Sequence, residues 1–224
     1  MQVTLGTTKA ELLADRAVFL PGSKTLVIAD LHLGKSATFR THGVPVPEGS
    51  TTADLSRLRI LLSTTGAKTL VVAGDLIHSH DGLTASVLDA LHLWLEEIAI
   101  PVILTEGNHD RRSPLARRNL PLEIVPDILT DDLIITHDPK DLPHDQPGIA
   151  GHLHPGIRLR ESRQSSLRLP IFLLRNKNHL ILPAFSEFTG LQLVKPTPTD
   201  QFYTPLNGGV TAIPHSLLHP TKIS

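Results

Sequence analysis

Five short apolar runs punctuate the first two thirds of the chain, at residues 25–29, 69–73, 101–105, 133–136 and 147–150. They are continuous rather than alternating, and rich in β-branched residues or leucine, which suits strands buried on both faces. Between the first two, residues 52–63 carry Leu55, Leu58, Leu61 and Leu62 on one side of a helix. Between the second and third, Thr84 is an N-cap residue, and Val87, Leu88, Leu91, Trp94, Leu95 and Ile98 form an apolar stripe. Strand and helix alternating in this way imply right-handed crossovers and a largely parallel sheet. Residues 10–20 read as extended segments leading into the first core strand. Two further runs, 169–174 and 179–182, flank Arg175-Asn176-Lys177-Asn178, a good hairpin turn, and predict a second, more antiparallel sheet. From about Lys195 the chain turns to Pro, Thr, Gly and His with little periodicity, so a domain over 1–195 and an irregular tail over 196–224 are expected.

Each buried run gives way at once to polar residues. The first ends in Asp30-Leu31-His32 and the second in Gly74-Asp75-Leu76-Ile77-His78. The third ends in Gly107-Asn108-His109-Asp110, the fourth in His137-Asp138, the fifth in Gly151-His152-Leu153-His154. Functional groups of an α/β sheet gather beyond the carboxyl ends of its strands. On an extended backbone, the alternate residues of Asp-x-His or His-x-His share a face, so one segment can offer two ligands. Glycines at 74, 107 and 151 permit close backbone approach. Oxygen and nitrogen donors of this kind suit Mn²⁺, Fe or Zn²⁺ without choosing among them. Six of the thirteen histidines lie in these motifs. For the other seven (His42, His80, His92, His144, His179, His215 and His219) a solvated or structural place is expected.

Composition narrows the function further. With 224 residues, 40% hydrophobic and 19% charged, the chain suits one soluble globular core. No apolar run approaches the roughly 18 residues of a membrane span, and no signal peptide is read at the start. The absence of cysteine excludes disulfides, thiolate zinc sites and cysteine nucleophiles, and fits a cytoplasmic protein. A net charge of -1 excludes a polycation, so any nucleic-acid contact needs a local patch. Arg111, Arg112, Arg117 and Arg118 form one directly after the third motif, and the same run also reads as a solvated, basic helix start. Aromatics at 4% argue against extensive base stacking. There is no Gly-x-Ser-x-Gly, and where a phosphate-binding loop ending in Gly34-Lys35-Ser36 needs its first glycine stands Ala29.

In order and content, the five motifs resemble the calcineurin-like metallophosphoesterase superfamily over roughly residues 25–155. The stretch 29–35 with Phe39-Arg40, Gly43, Pro45 and 47–49, and again 182–190, looks like one bacterial subgroup: phosphoesterases or endonucleases encoded beside DNA ligases and helicases of a DNA-damage response. The resemblance implies an α/β fold of two packed mixed sheets flanked by helices, in four layers α/β/β/α. It implies two divalent ions, Mn²⁺ by preference, joined by a bridging hydroxide. One ion would take Asp30, His32, Asp75 and His154; the other would take Asp75, Asn108, His137 and His152. His109 would face the scissile phosphate as an acid with Asp110 orienting it, and His78 would lie near substrate. Three functions follow: a nuclease with DNA as substrate and ligase or helicase as partners, a phosphodiesterase or phosphatase for small molecules such as cyclic nucleotides, or a non-catalytic scaffold. The last would be expected to have lost ligands, and none of the seven is missing.

Overall fold

A strand that is apolar at every position needs two apolar faces to pack against, and the fold supplies both. The computed structural model describes residues 1–160, 166–206 and 208–218. Seven strands form the first sheet in chain order: β1 (Gln2–Leu5), β2 (Thr8–Leu13), β3 (Ala17–Leu20), β4 (Thr25–Ile28), β5 (Thr69–Val72), β6 (Val102–Thr105) and β7 (Glu123–Val125). Strands β1 to β4 are antiparallel neighbours, and β4 to β7 are parallel. On one face, Leu26 and Ile28 of β4 and Leu70 and Val72 of β5 pack under helices α2 (Ser50–Thr65) and α3 (Ala85–Ile98). On the other, Val27, Ala29, Val71 and Ala73 meet a second sheet. The two helices bury the apolar positions expected of them, Leu88 and Ile98 only in part, and the Thr84 hydroxyl caps α3 by accepting from the Val87 N–H at 3.4 Å.

The remaining strands are β8 (Asp127–Thr130), β9 (Leu133–Thr136), β10 (Gly148–Ala150), β11 (Pro155–Arg160), β12 (Ser166–Pro170), β13 (Phe172–Arg175), β14 (His179–Ile181), β15 (Gln192–Leu193), β16 (Gln201–Leu206) and β17 (Gly209–Ile213). The second sheet runs β17-β16-β13-β14-β10-β9-β8, parallel only across β9, β10 and β14. Leu133, Ile135, Ile149, Phe172, Leu174, Leu180 and Leu182 are its side of the core shared with the first sheet.

The expected pair of packed mixed sheets flanked by helices is present, with three differences of detail. The outer face of the second sheet is covered by a third, small sheet, β12-β11-β15, through Ile157, Ile171, Leu173, Ile181 and Phe202 rather than by a helix. The run 169–174 is not one strand: β12 ends at Pro170 in the small sheet, and β13 begins at Phe172 in the second. Finally, residues 201–213 are not irregular. They form the hairpin β16–β17, and β16 pairs with β13 through Phe172–Tyr203 and Leu173–Phe202. Its weak periodicity fits a ribbon at the sheet edge, where few positions are buried.

Candidate metal centre

Strands β4, β5 and β6 end side by side in the first sheet, and β9 and β10 do so in the second. The two sets of carboxyl ends are tied together. The Gly151 N–H donates to the His137 carbonyl (3.1 Å), and His137 Nδ1 donates to the Ala73 carbonyl (3.1 Å). That bond fixes the His137 tautomer and leaves Nε2 facing the space between the sheets. A Cβ on Gly74 would fall on His137 Nδ1, so only glycine admits the ring here.

The backbone past the strands is not extended, contrary to the expectation from Asp-x-His and His-x-His. Asp30 (φ 55°), His32 (φ 48°), Asp75 (φ 51°), His152 (φ 69°) and His154 (φ 44°) are all left-handed. Hydrogen bonds continue across the kinks, Asp30 N–H to the Gly74 carbonyl (3.1 Å) and His32 N–H to that of Asp75 (2.9 Å). Such a conformation costs a non-glycine residue about 1–3 kcal/mol and persists where the surroundings over-determine it, characteristically at functional sites. Here it turns side chains from neighbouring residues into one volume.

Those side chains form two trios whose donor atoms lie within 4.8 Å of one another: Asp30, His32 and His154, and Asp75, His137 and His152. In the first, His154 Nε2 is 3.2 Å from His32 Nε2 and 3.3 Å from Asp30 Oδ1. In the second, His137 Nε2 is 3.5 Å from Asp75 Oδ2, 3.0 Å from His152 Nδ1 and 3.1 Å from Asn108 Oδ1. Asp75 Oδ2 also lies 4.0 Å from His32 Nε2, which places it between the trios. Both carboxylates are buried, and among the described residues neither pairs with a lysine or arginine. Burial, followed by the nearby His154 and His109, pushes His32 down to about 2, so it is neutral. Burial raises Asp75, against the pull of His137. The Nδ1 atoms of His32 and His78 are buried without a hydrogen-bond partner. Buried carboxylates with no cationic side chain, facing imidazole nitrogens at these spacings, fit divalent cations.

His109 stands beside these trios. Its N–H donates to Asp75 Oδ1 (2.9 Å), and its Nδ1 donates to the His78 carbonyl. Its Nε2 is thereby turned toward the centre, 3.9 Å from Asp75 Oδ2, with the side chain one-third exposed. The His78 ring stacks on it at 5.3 Å and 19°. Burial, with the Lys35 charge next, pushes His78 down to about 4. Together with His32, these two histidines make a third close trio, which the sequence motifs do not announce.

Asp110 is not the partner of His109. Its buried carboxylate accepts N–H bonds from Gly107 (3.1 Å), Ile77 (3.0 Å) and Leu76 (3.4 Å), so it clamps the β5 and β6 loops from behind. Burial outweighs these donors and pushes it up to about 6. Asp138, adjacent to His137 in the fourth motif and not singled out there, reaches within 3.9 Å of His152 Nε2. The arginines Arg111, Arg112, Arg117 and Arg118 are exposed, spread over the short helix α4 (Asn108–Arg111) and the turn that follows. Arg111 is engaged with Glu106 at 3.3 Å. Of the other histidines, His42, His179 and His215 bond main-chain carbonyls, and His80 and His92 lie by Asp81 and Glu96. Neither these nor His144 joins a trio, and His219 lies outside the described residues.

Residues 23–182, which contain every one of these donors, match the family model of the calcineurin-like phosphoesterases. The chain belongs to that family. It is accordingly a metal-dependent phosphoesterase, as its motifs imply. Among solved structures it is similar to the Pseudomonas putida nuclease MPE, at 30% identity and a TM-score of 0.79, covering 95% of this chain and 99% of that one. The E. coli phosphoesterase Yfce is more distant, at 18% identity and TM-score 0.42 over 80% and 86% of the two chains. So is AQ665 of Aquifex aeolicus, a protein of unknown function, at 18% and 0.40 over 63% and 81%. No curated protein matches the chain.

Proposed function

We propose that this phosphoesterase is a dinuclear nuclease that hydrolyses phosphodiester bonds of DNA. The observation that carries the dinuclear reading is Asp75, whose Oδ2 lies 4.0 Å from His32 and 3.5 Å from His137, between the two trios. Asp30, His32, Asp75 and His154 would hold one cation, and Asp75, Asn108, His137 and His152 the other. Two divalent ions there, Mn²⁺ by preference, would supply a hydroxide at neutral pH and neutralise charge on the phosphoryl oxygens. The protein's own residues do the rest. The left-handed turns hold the donors in place, and the His109 N–H fixes the second oxygen of Asp75. In its doubly protonated form, with Nδ1–H on the His78 carbonyl, His109 would give its Nε2 proton to the departing alkoxide and be left as the neutral Nδ1–H tautomer. His78, neutral at pH 7, offers a hydrogen bond but no charge.

The nuclease reading is supported by the likeness to the P. putida nuclease along nearly the whole of both chains. A place in a DNA-damage response, beside a ligase and a helicase, extends the subgroup resemblance. A cytoplasmic setting fits the absence of cysteine, and among the described residues no helix is long and apolar enough to cross a membrane.

The test is metal analysis and turnover, side by side, of wild type and Asp75→Ala. The substrates are single- and double-stranded DNA, a cyclic nucleotide and a phosphomonoester. Wild type should hold about two metals per chain and cleave DNA in preference; the variant should lose both properties. Asp75→Ala with full metal and normal turnover would overturn the shared-ligand assignment. Preference for the cyclic nucleotide would favour the small-molecule reading instead.

A further inference from the structure

Two stretches contribute no donor to the trios, 35–40 and 182–190. They meet beside the centre. Phe39 and Phe188, far apart in sequence, lie edge to face with centroids 5.7 Å apart and rings at 79°. Of the six phenylalanines they are the two exposed ones, at 36% and 39%; Phe172, Phe185 and Phe202 are buried and Phe19 is partly covered. Lys35 lies one helical turn before Phe39 on α1 (Lys35–Thr41), with its Nζ 6.0 Å from the Phe188 ring centroid. The Lys35 main-chain N–H donates to the His32 carbonyl (3.2 Å), which ties the residue to the edge of the centre. Among the described residues its ammonium has no acidic partner.

Both halves of this pair are rigidly mounted. The 184–188 segment is held by Arg16, which donates to the Ala184 and Ser186 carbonyls, and by Arg57, which donates to the Phe185 carbonyl and pairs with Glu187 at 3.1 Å. The Phe185 N–H donates to the Ala29 carbonyl (2.8 Å), one residue before Asp30. On the other side, the Thr38 hydroxyl meets that of Ser79 (2.7 Å), directly after His78. A Cβ on Gly34 would strike the Gly82 carbonyl, so the start of α1 rests against the same loop. The pair is thus registered to the catalytic groups on both flanks.

An exposed aromatic pair with an unpaired cation at the edge of a phosphoesterase centre has the chemistry of a nucleotide seat. We propose that Phe39 and Phe188 stack a nucleobase of a single-stranded nucleic acid while Lys35 contacts a phosphate oxygen of the same strand. This rests on the nuclease reading and names the substrate form. The low aromatic content excludes a long stacking track, and one pair suffices to anchor a single base. Base–aromatic stacking is sequence-tolerant because every base has a π-face.

The test uses metal-loaded protein and two fluorescent oligomers of equal length, phosphorothioate-linked to slow cleavage, one of thymidine and one of abasic residues. Anisotropy gives Kd for each. Wild type should prefer the base-bearing oligomer. Phe39→Ala with Phe188→Ala should weaken that oligomer by about 5- to 150-fold, the worth of one stacked base, and leave the abasic one unchanged. Phe39→Tyr and Phe188→Tyr should retain the preference. Lys35→Ala should weaken both oligomers alike and reduce the log–log salt slope by about 0.7. Metal content and melting temperature confirm an intact fold; if the double alanine variant fails to fold, Phe39→Leu with Phe188→Leu removes the rings while keeping apolar volume. No base preference in wild type, or equal loss for both oligomers, would overturn the seat. Cleavage of unmodified DNA is read separately. Cleavage without base preference sinks the seat and leaves the nuclease reading, whereas base preference without cleavage does the reverse.

Discussion

His109 directs Nε2 into the centre while the next residue, Asp110, directs its carboxylate away from it, onto three main-chain N–H groups. Different consequences follow from removing each. His109→Ala takes away the proposed proton donor while leaving the two proposed ligand trios, Asp30–His32–His154 and Asp75–His137–His152, intact, so metal content should stay at the wild-type level and kcat should fall about 10²-fold or more. Asp110→Ala leaves three buried donors without an acceptor, each worth about 1–3 kcal/mol if nothing replaces the bond. It should lower the melting temperature by several degrees and, by loosening the loops that carry Asp75 and Asn108, reduce bound metal. Metal analysis and thermal melts of the two variants separate these outcomes; a wild-type melt for Asp110→Ala would rule out the clamp. The contrast also marks where residue-level reading of the sequence stops. Residue types and order picked out the side chains that the two sheets bring together, because carboxylates and imidazoles after buried strands have few other uses. Nothing in Asn108-His109-Asp110 reveals that the aspartate faces the opposite way, since that depends on the N–H groups of Leu76 and Ile77 in another loop.

At the scale of elements, the strands and helices of the first sheet were legible because each is apolar at the spacing its burial demands. Leu26 and Ile28 face the helices, Val27 and Ala29 the second sheet, and the run shows no alternation. The ribbon β16–β17 was illegible for the opposite reason: it is half-exposed, contains Pro205, and is specified by pairing with β13 rather than by its own pattern. Left-handed turns at five donors were equally invisible, being imposed by the meeting of two sheets. The arginine run is an element-scale question of the same kind. Arg117 and Arg118 lie on an exposed turn just past α4, free of the Glu106 contact that engages Arg111. If they hold phosphates flanking the scissile one, alanine at both should weaken DNA binding and reduce the log–log salt slope by about 0.7–0.9 per lost contact. Turnover of a small model diester should be nearly intact. Equal loss on both substrates would make the arginines structural, and no loss on either would make them a solvated face.

Across the whole molecule, the site binds two sheets through buried groups that hold unusual protonation states, so folding and acidity are linked. His32 and His78 titrate at about 2 and about 4 in the folded chain, below their ordinary 6.5. As pH falls below about 6.5 the unfolded chain takes up protons that the folded chain refuses; the stability these neutral imidazoles contribute is present above that pH and lost below it. Asp110 acts in the opposite sense. Its folded value of about 6 exceeds the ordinary 3.8, so its contribution is complete below about 4 and lost as pH rises through about 6. Asp54 and Asp75, also raised by burial, act in the same sense as Asp110. The imidazoles, however, start to lose their contribution at about 6.5, before Asp110 starts to regain its own at about 6, and the loss prevails on acidification from pH 7. In chelator, the melting temperature should therefore drop between pH 7 and pH 5, and His78→Ala should make that drop shallower. Metal bound to imidazole nitrogen competes with protons for the same lone pairs. The stabilisation that added Mn²⁺ gives at pH 7 should accordingly shrink toward pH 5, and melts at each pH with and without metal measure it. A metal-induced shift of equal size at both values would count against ligation by the histidines other than His32, whose lowered proton affinity already keeps it neutral at pH 5.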